Sequence, residues 1–330
     1  MKPFVALVAA SILGANYGQA VRIAQASQES WADLTVRNLN KALRAENYSV
    51  VLVGPTKHCT KSGATDRNPT RLRRACQFGS CPSRTRARHG YNESDKSLHW
   101  LNAHPQTCMR YAIDKLGPCY REWHGRRAQL AVVGPSGSLT APLEYMWDSW
   151  SSTAWAAAWA ARWGGVPAIA FGSPQDKRSF AWNATHTLPY TDIYPKLAAK
   201  LVKAVIYSGK PYLPEGVFLN VNFPPTTGGC DDPEKFKFVL TRRPVYHDLM
   251  GPRIDHCGRD RLPRDYIALR RENRCYVSVT ATDSWYMETH RYASVHRTLI
   301  DKLAGFWHCL EENDDSDADG RWRGPKDQDT

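Results

Sequence analysis

Residues 128–172 read AQLAVVGPSGSLTAPLEYMWDSWSSTAWAAAWAARWGGVPAIAFG, and this stretch decides the fold. Leu130-Ala131-Val132-Val133 is a run of buried-strand character that stops at Gly134-Pro135. A small-residue loop follows, Ser136-Gly137-Ser138, and an alanine-rich helix opens near Ser152-Thr153. The helix closes at Gly164-Gly165, and a second apolar strand runs from Val166 to Phe171. Strand, helix, strand in that order makes a βαβ crossover and therefore parallel strands. In open sheets of this kind ligands bind beyond the carboxyl ends of the strands, which is where Ser136–Ser138 lies.

Working toward the N-terminus, Val21-Arg22-Ile23-Ala24 reads as a short strand. Leu34, Val36, Leu39 and Leu43 give Trp31–Glu46 the spacing of an amphipathic helix, and Ser49–Val53 is a β-branched strand buried on both faces. This second βαβ unit makes the class α/β, with a doubly wound, mostly parallel sheet. Gly54–Arg88 is a long loop rich in Thr, Ser, Arg, Pro and Cys, a kind of segment that is functional or disordered. Leu98–Leu116 is expected to be helical, and so is Thr191–Ser208, where Ile193, Leu197, Leu201 and Val205 recur every four residues. Val217–Phe223, Phe236–Leu240 and Tyr276–Thr280 are expected strands, and Tyr292–Leu310 an expected terminal helix.

The first twenty residues carry Lys2, an apolar run from Phe4 to Leu13 and small residues before Ala20, the pattern of a cleaved secretory leader. Residues 21–310 then form one domain, and 311–330 an acidic tail expected to be disordered. No later apolar run is long enough to span a membrane. Nine cysteines suit an oxidising compartment. Cys76 and Cys81, around Gly79, are placed for a local staple, and no cysteine pair has zinc-site spacing. Asn47, Asn92 and Asn183 begin N-x-S/T sequons, in agreement with export. The net charge of +12 is concentrated between Lys57 and Arg127, where Arg71, Arg73, Arg74, Arg84, Arg86 and Arg88 crowd together. Such an excess favours anionic partners or forms a solvated loop surface.

Several of these segments resemble the survival-protein SurE family. They are Ser49–Pro55 followed by Lys61-Ser62-Gly63, Val166–Phe171, and above all Gly209-Lys-Pro-Tyr-Leu-Pro-Glu-Gly-Val-Phe-Leu-Asn-Val-Asn-Phe-Pro224. Cys76–Pro82, Phe236–Leu240 and Cys275–Val279 are similar to its secreted fungal branch of acid phosphatases and nucleotidases. The resemblance implies a C-terminal β-rich extension with a closing helix, and two bridges among Cys230, Cys257, Cys275 and Cys309. Cys59, Cys108 and Cys119 are left over, their pairing open. It also implies hydrolysis of phosphate monoesters assisted by Mg²⁺ or Mn²⁺, and a homodimer.

By that resemblance the metal-binding Asn-Asp-Asp-Gly loop falls on Ser27-Gln28-Glu29-Ser30, which places the metal and catalytic roles on Gln28 and Glu29. The serine ligand falls on Ser62 and the asparagine ligand on Ser136. The phosphate-cradling Ser-Gly-Thr falls on Ser152-Thr153-Ala154, giving Ser152 and Thr153 as substrate-binding residues. Only Ser62 is retained as a metal ligand. Gln28 removes a charge that a hard cation needs, Glu29 carries its carboxylate one methylene further out, and Ser136 is a shorter ligand than asparagine. The chain is therefore expected to keep the fold, to be weak or inactive as a phosphatase, and to act by binding an anionic ligand. A working divergent phosphatase, and a polyanion module on the Lys57–Arg127 stretch, are the alternatives.

Other patterns carry less. Gly134–Ser138 lacks the second glycine of a nucleophile elbow and reads as a strand-end turn. Trp155, Trp159 and Trp163 make an aromatic ridge on one helix face, read as a core or subunit contact. His58-Cys59, His256-Cys257 and His308-Cys309 invite a metal reading, but disulfides account better for the cysteines. His89, His99, His104 and His186 stand alone and read as structural.

Overall fold

The computed structural model of the 330-residue chain describes residues 20–59, 62–81, 86–140, 151–174, 179–243, 252–271 and 273–311. The expected leader up to Gln19 and the tail beyond Glu311 lie outside the described residues, as do Arg84, Trp147 and Trp150. The elements in chain order are β1 (Arg22–Ala26), α1 (Leu34–Ala45), β2 (Ser49–Pro55), β3 (His89–Asn92), β4 (Asp95–Leu101) and α2 (Pro105–Tyr111). A single turn α3 (Gly117–Cys119), then β5 (Leu130–Ser136), α4 (Ser152–Arg162), β6 (Ala168–Gly172), α5 (Tyr190–Tyr207) and β7 (Val217–Asn222) follow. The chain ends with β8 (Lys237–Thr241), α6 (Asp265–Arg270), β9 (Tyr276–Asp283) and α7 (Ala293–Lys302).

The nine strands among the described residues form one sheet in the order β3-β4-β2-β1-β5-β6-β7-β9-β8. From β4 to β7 every pairing is parallel, with Ala24 beside Val51 on one side and Ala131 on the other. β3 and β9 join antiparallel, and β8 closes the C-terminal edge parallel to β9. The α/β class, the doubly wound parallel sheet and the β-rich C-terminal extension are therefore as expected.

The alternating strand residues build two unlike faces. Ile23, Leu130, Val132, Ile169, Phe171, Leu219 and Val221 point to the side covered by α1 and α5. Ala24, Ala131, Ala168 and Ala170 point to the other side, where the alanines of α4 pack. Small residues on both surfaces let helix and sheet approach closely, which accounts for the composition of α4. Burying one face of each strand alone would leave half this apolar surface in water, so both layers are needed.

Two expectations need correction. Leu98–Leu101 belongs to β4 rather than to a helix, because Pro105 forces His104 into extended backbone and α2 starts only there. The terminal helix stops at Lys302, followed by a turn in which Gly305 takes φ +80°, and Cys309 is tied to Cys257. Of the tryptophan ridge, read as a core or subunit contact, Trp155 and Trp159 are half-buried against the core and Trp163 is 60% exposed. The disulfides Cys76–Cys81, Cys230–Cys275 and Cys257–Cys309 match the staple and the two bridges, and Cys59, Cys108 and Cys119 are free.

Candidate functional site

The chain leaves β1 toward β2 and β4, then returns to β5 on the other side and continues to β6 and β7. The strand order thus reverses between β1 and β5, and the loops beyond their carboxyl ends part to form a crevice. Four segments meet there: Ser27–Ser30 after β1, Thr56–Ser62 after β2 (Thr60 and Lys61 lie outside the described residues), Gly137–Thr140 after β5, and the first turn of α4.

The β1 loop is fixed by its backbone. The Glu29 N–H donates to Ser27 Oγ at 2.9 Å, the Cys59 N–H to the Gln28 carbonyl at 2.8 Å, and the Trp31 N–H to the Pro55 carbonyl at 3.0 Å. Gly54 permits that approach, since a Cβ there would lie 2.7 Å from Trp31 Cα. Ser27, Gln28 and Ser30 are fully buried and Glu29 nearly so.

Of the residues carried over by resemblance, Gln28, Glu29, Ser62, Ser152 and Thr153 lie in these segments and Ser136 is the last residue of β5 beside them. Gln28 Nε2 donates to Ser138 Oγ at 2.7 Å, while Gln28 Oε1 is buried without a hydrogen-bond partner among the described residues. Glu29 Oε1 accepts from the Gly137 N–H at 3.0 Å and its Oε2 meets His58 Nδ1. Ser62 Oγ lies 2.8 Å from Ser152 Oγ and 3.1 Å from the Cys59 carbonyl. Ser136 Oγ points to the carbonyls of Ser138 and Phe171, at 3.0 and 3.2 Å. Thr153 is fully buried and its Oγ1 has no partner among the described residues.

Two contacts escaped the sequence reading, which weighed His58 only as a metal candidate beside Cys59. His58 joins Glu29 across 29 positions, a distance at which no spacing rule operates. Asn222, the last residue of β7, accepts from both the Thr140 N–H (2.9 Å) and Thr140 Oγ1 (2.8 Å), and so ties the β5 loop to the sheet. The resemblance had marked the segment around Asn222, but nothing in it specified this bond.

The electrostatics follow from burial. The bond to Glu29 raises the His58 imidazole above its ordinary value, against the opposing effect of burial. Asp33, which caps α1 by accepting from the Thr35 and Val36 N–H groups, is pushed up to about 6, first by burial and then by the Glu29 carboxylate. Burial also raises the Cys59 thiol.

These groups do not fit a hard divalent cation. Such an ion takes about six oxygen ligands and favours carboxylates. Here Glu29 supplies the one carboxylate at the four ligand positions, and it is engaged by an imidazole and a backbone N–H. Ser136 spends its hydroxyl proton on a main-chain carbonyl, and among the described residues no three His, Cys, Asp or Glu side chains gather as a metal cluster. What the crevice offers instead is the N-terminus of α4 with the paired hydroxyls of Ser62 and Ser152 beside it, a setting suited to an anion.

Residues 29–244 match the profile of the family described as Survival protein SurE. An acid phosphatase from Yarrowia lipolytica is 29% identical over 254 residues, spanning 72% of this chain and 69% of that protein. The crystal structure of a SurE protein from Aquifex aeolicus superposes with a TM-score of 0.51 at 17% identity, over 85% of this chain and 98% of that one. At that identity the superposition speaks for the fold alone. The family match over most of the chain, on a sheet with this switch point, settles the assignment: the chain belongs to the SurE family.

Proposed function

We propose that this protein holds a phosphate ester or a similar small anion in the switch-point crevice, with a degenerate metal site and weak or no turnover. The observation that carries this reading is Glu29, the single carboxylate at the family's ligand positions, bound to His58 and to the Gly137 N–H. Burying a carboxylate requires a counter-charge, and here the chain's own histidine meets that need in place of a cation. Gln28, Glu29, Ser62 and Ser136 are the residues at the former metal positions. Ser152 and Thr153, at the start of α4, are the anion-binding residues, where the positive end of the helix dipole favours negative charge. Three disulfides and the leader-like first twenty residues support export, and the homodimer implied by the resemblance belongs to the same reading.

A second reading is a divergent phosphatase or nucleotidase that uses Mg²⁺ or Mn²⁺. The acid phosphatase name of the Yarrowia relative favours it. Phosphate release from p-nitrophenyl phosphate and nucleoside monophosphates, with Mg²⁺, Mn²⁺ or chelator, separates the two. Chelator-sensitive turnover by the native protein overturns the first reading. Calorimetric binding of a nucleoside monophosphate in chelator, without turnover, supports it. Turnover gained by the triple variant Gln28→Asp, Glu29→Asp, Ser136→Asn supports it further.

A further inference from the structure

The end of the molecule away from the crevice carries an aromatic cluster that the reading above does not use. Trp163, just past the end of α4, is 60% exposed, and Trp285 and Tyr286, in the turn after β9, are 51% and 69% exposed. The two indoles lie 5.2 Å apart with their planes at 60°. Between them sits the Arg162 guanidinium, 3.5 Å from the Trp285 ring centroid and 4.6 Å from that of Trp163. Among the described residues Arg162 makes these ring contacts but no ion pair or hydrogen bond, and its Nε is buried without a partner there.

The turn that presents these rings is firmly built. Asp283 Oδ1 accepts from the Trp285 and Tyr286 N–H groups, at 2.7 and 3.2 Å, and the Ser284 N–H donates to the Gly216 carbonyl at 2.9 Å. Met287, 5% exposed, anchors the turn in the core beneath α4. Ordering three large apolar rings in water is unfavourable unless something covers them.

We propose that this corner binds an acidic sugar unit of a glycan, a pyranose bearing a carboxylate. The ring of such a sugar stacks on an exposed indole, and its carboxylate reaches the two terminal Nη groups of Arg162, the buried Nε being out of its reach. The three rings expose about 350 Å² in all, taking ~200 Å² for an aromatic side chain. That is well short of the about 800 Å² that each partner of a stable protein pair buries, so a second copy or a folded partner is the poorer occupant. A neutral sugar leaves the guanidinium without a counter-charge. The guanidinium fills the space between the two indoles, so the sugar ring stacks on the outer, exposed side of one of them.

The test uses the full secreted, disulfide-intact chain, titrated calorimetrically with hexagalacturonate, with the neutral hexamer of cellulose, and with dextran sulfate as a measure of general polyanion attraction. Hexagalacturonate is expected to bind and the neutral hexamer not to bind. Trp285→Ala and Arg162→Gln are each expected to weaken hexagalacturonate about tenfold while dextran sulfate binding is kept. Arg162→Lys, which keeps the charge but not the planar fork, covers the case in which a harsher variant misfolds, and it is expected to lose most of the preference for the acidic hexamer. The double variant Arg71→Gln, Arg73→Gln, remote in sequence and exposed, is expected to leave hexagalacturonate binding unchanged. Equal binding of acidic and neutral hexamers, parallel losses for hexagalacturonate and dextran sulfate, or variants that change only the sedimentation mass would overturn the proposal.

Discussion

Replacing Asp33 by asparagine should raise stability at neutral pH and remove part of its pH dependence. Asp33 is 3% exposed, and burial together with Glu29 pushes its carboxyl from 3.8 to about 6. That gap corresponds to about 3 kcal/mol, because the folded state holds the proton more tightly than the unfolded one. The stabilisation is fully present below pH 3.8, fades as pH rises toward 6, and is absent above. Asparagine keeps the cap, since its Oδ1 still accepts from the Thr35 and Val36 N–H groups. The Ser179 hydroxyl, which donates to Asp33 Oδ2 at 2.6 Å, can turn and accept from the new amide. Urea unfolding of the disulfide-intact protein between pH 3.5 and 7.5 is the assay. The variant should gain up to about 3 kcal/mol over the parent at pH 7.5 and little or nothing at pH 3.5. Glu29→Gln, which removes the second cause, should shift the parent's transition to lower pH. Parallel profiles for parent and Asp33→Asn would refute the reasoning.

Other perturbations test the frame around the crevice. A Cβ on Gly172 would lie 2.6 Å from both the Ser138 carbonyl oxygen and the Thr140 nitrogen, so Gly172→Ala should cost about 2 kcal/mol and weaken anion binding, read by unfolding and calorimetry. Removing the Cys230–Cys275 bridge, which spans 45 residues, should cost about 4 kcal/mol on a chain-entropy estimate, and an unchanged urea midpoint for the double serine variant would contradict it. Gln28→Asp should destabilise the protein by about 3 kcal/mol in chelator, with recovery when Mg²⁺ or Mn²⁺ is added, read by thermal unfolding.

How far the sequence reached depends on the range of the forces involved. Strands β1, β2, β5 and β6 were legible because a strand buried on both faces must be apolar throughout, and glycines mark where several of them end or begin. The crossovers then followed from chain order alone. The hairpin β3–β4 was missed because His89-Gly-Tyr-Asn has no apolar alternation and its partner read as the start of a helix. Helix α6 is only six residues long, too short for a period to show. At the site, the residues carried over by resemblance fell into one cluster, because loop positions after corresponding strands are set by the sheet. His58 was invisible because its role is defined by a contact between two loops, and local pattern says nothing about which loop tips touch.

The crevice also shows how a fold can outlast its ligand set. The β1 loop takes its shape from main-chain bonds: Cys59 N–H to the Gln28 carbonyl, Trp31 N–H to the Pro55 carbonyl, and the close pass of Gly54 under Trp31. None of these depends on which side chain stands at position 28 or 29, so the loop keeps its shape whether or not those side chains can hold a metal. What the side chains do control is charge balance. Gln28 is neutral, Glu29 is met by His58, and Asp33 is driven toward its protonated form by burial and then by that same Glu29. Placing an aspartate at position 28 would bring a third carboxylate into a buried space that holds one imidazole. The added negative charge has no partner among the groups around it, since Ser138 is the hydrogen-bond partner of the Gln28 amide and carries no charge. A divalent cation would supply the missing charge, and for this reason the destabilisation of Gln28→Asp should depend on chelator. If Mg²⁺ and Mn²⁺ leave the variant as unstable as chelator does, the surrounding shell as well as the ligands has moved away from metal binding.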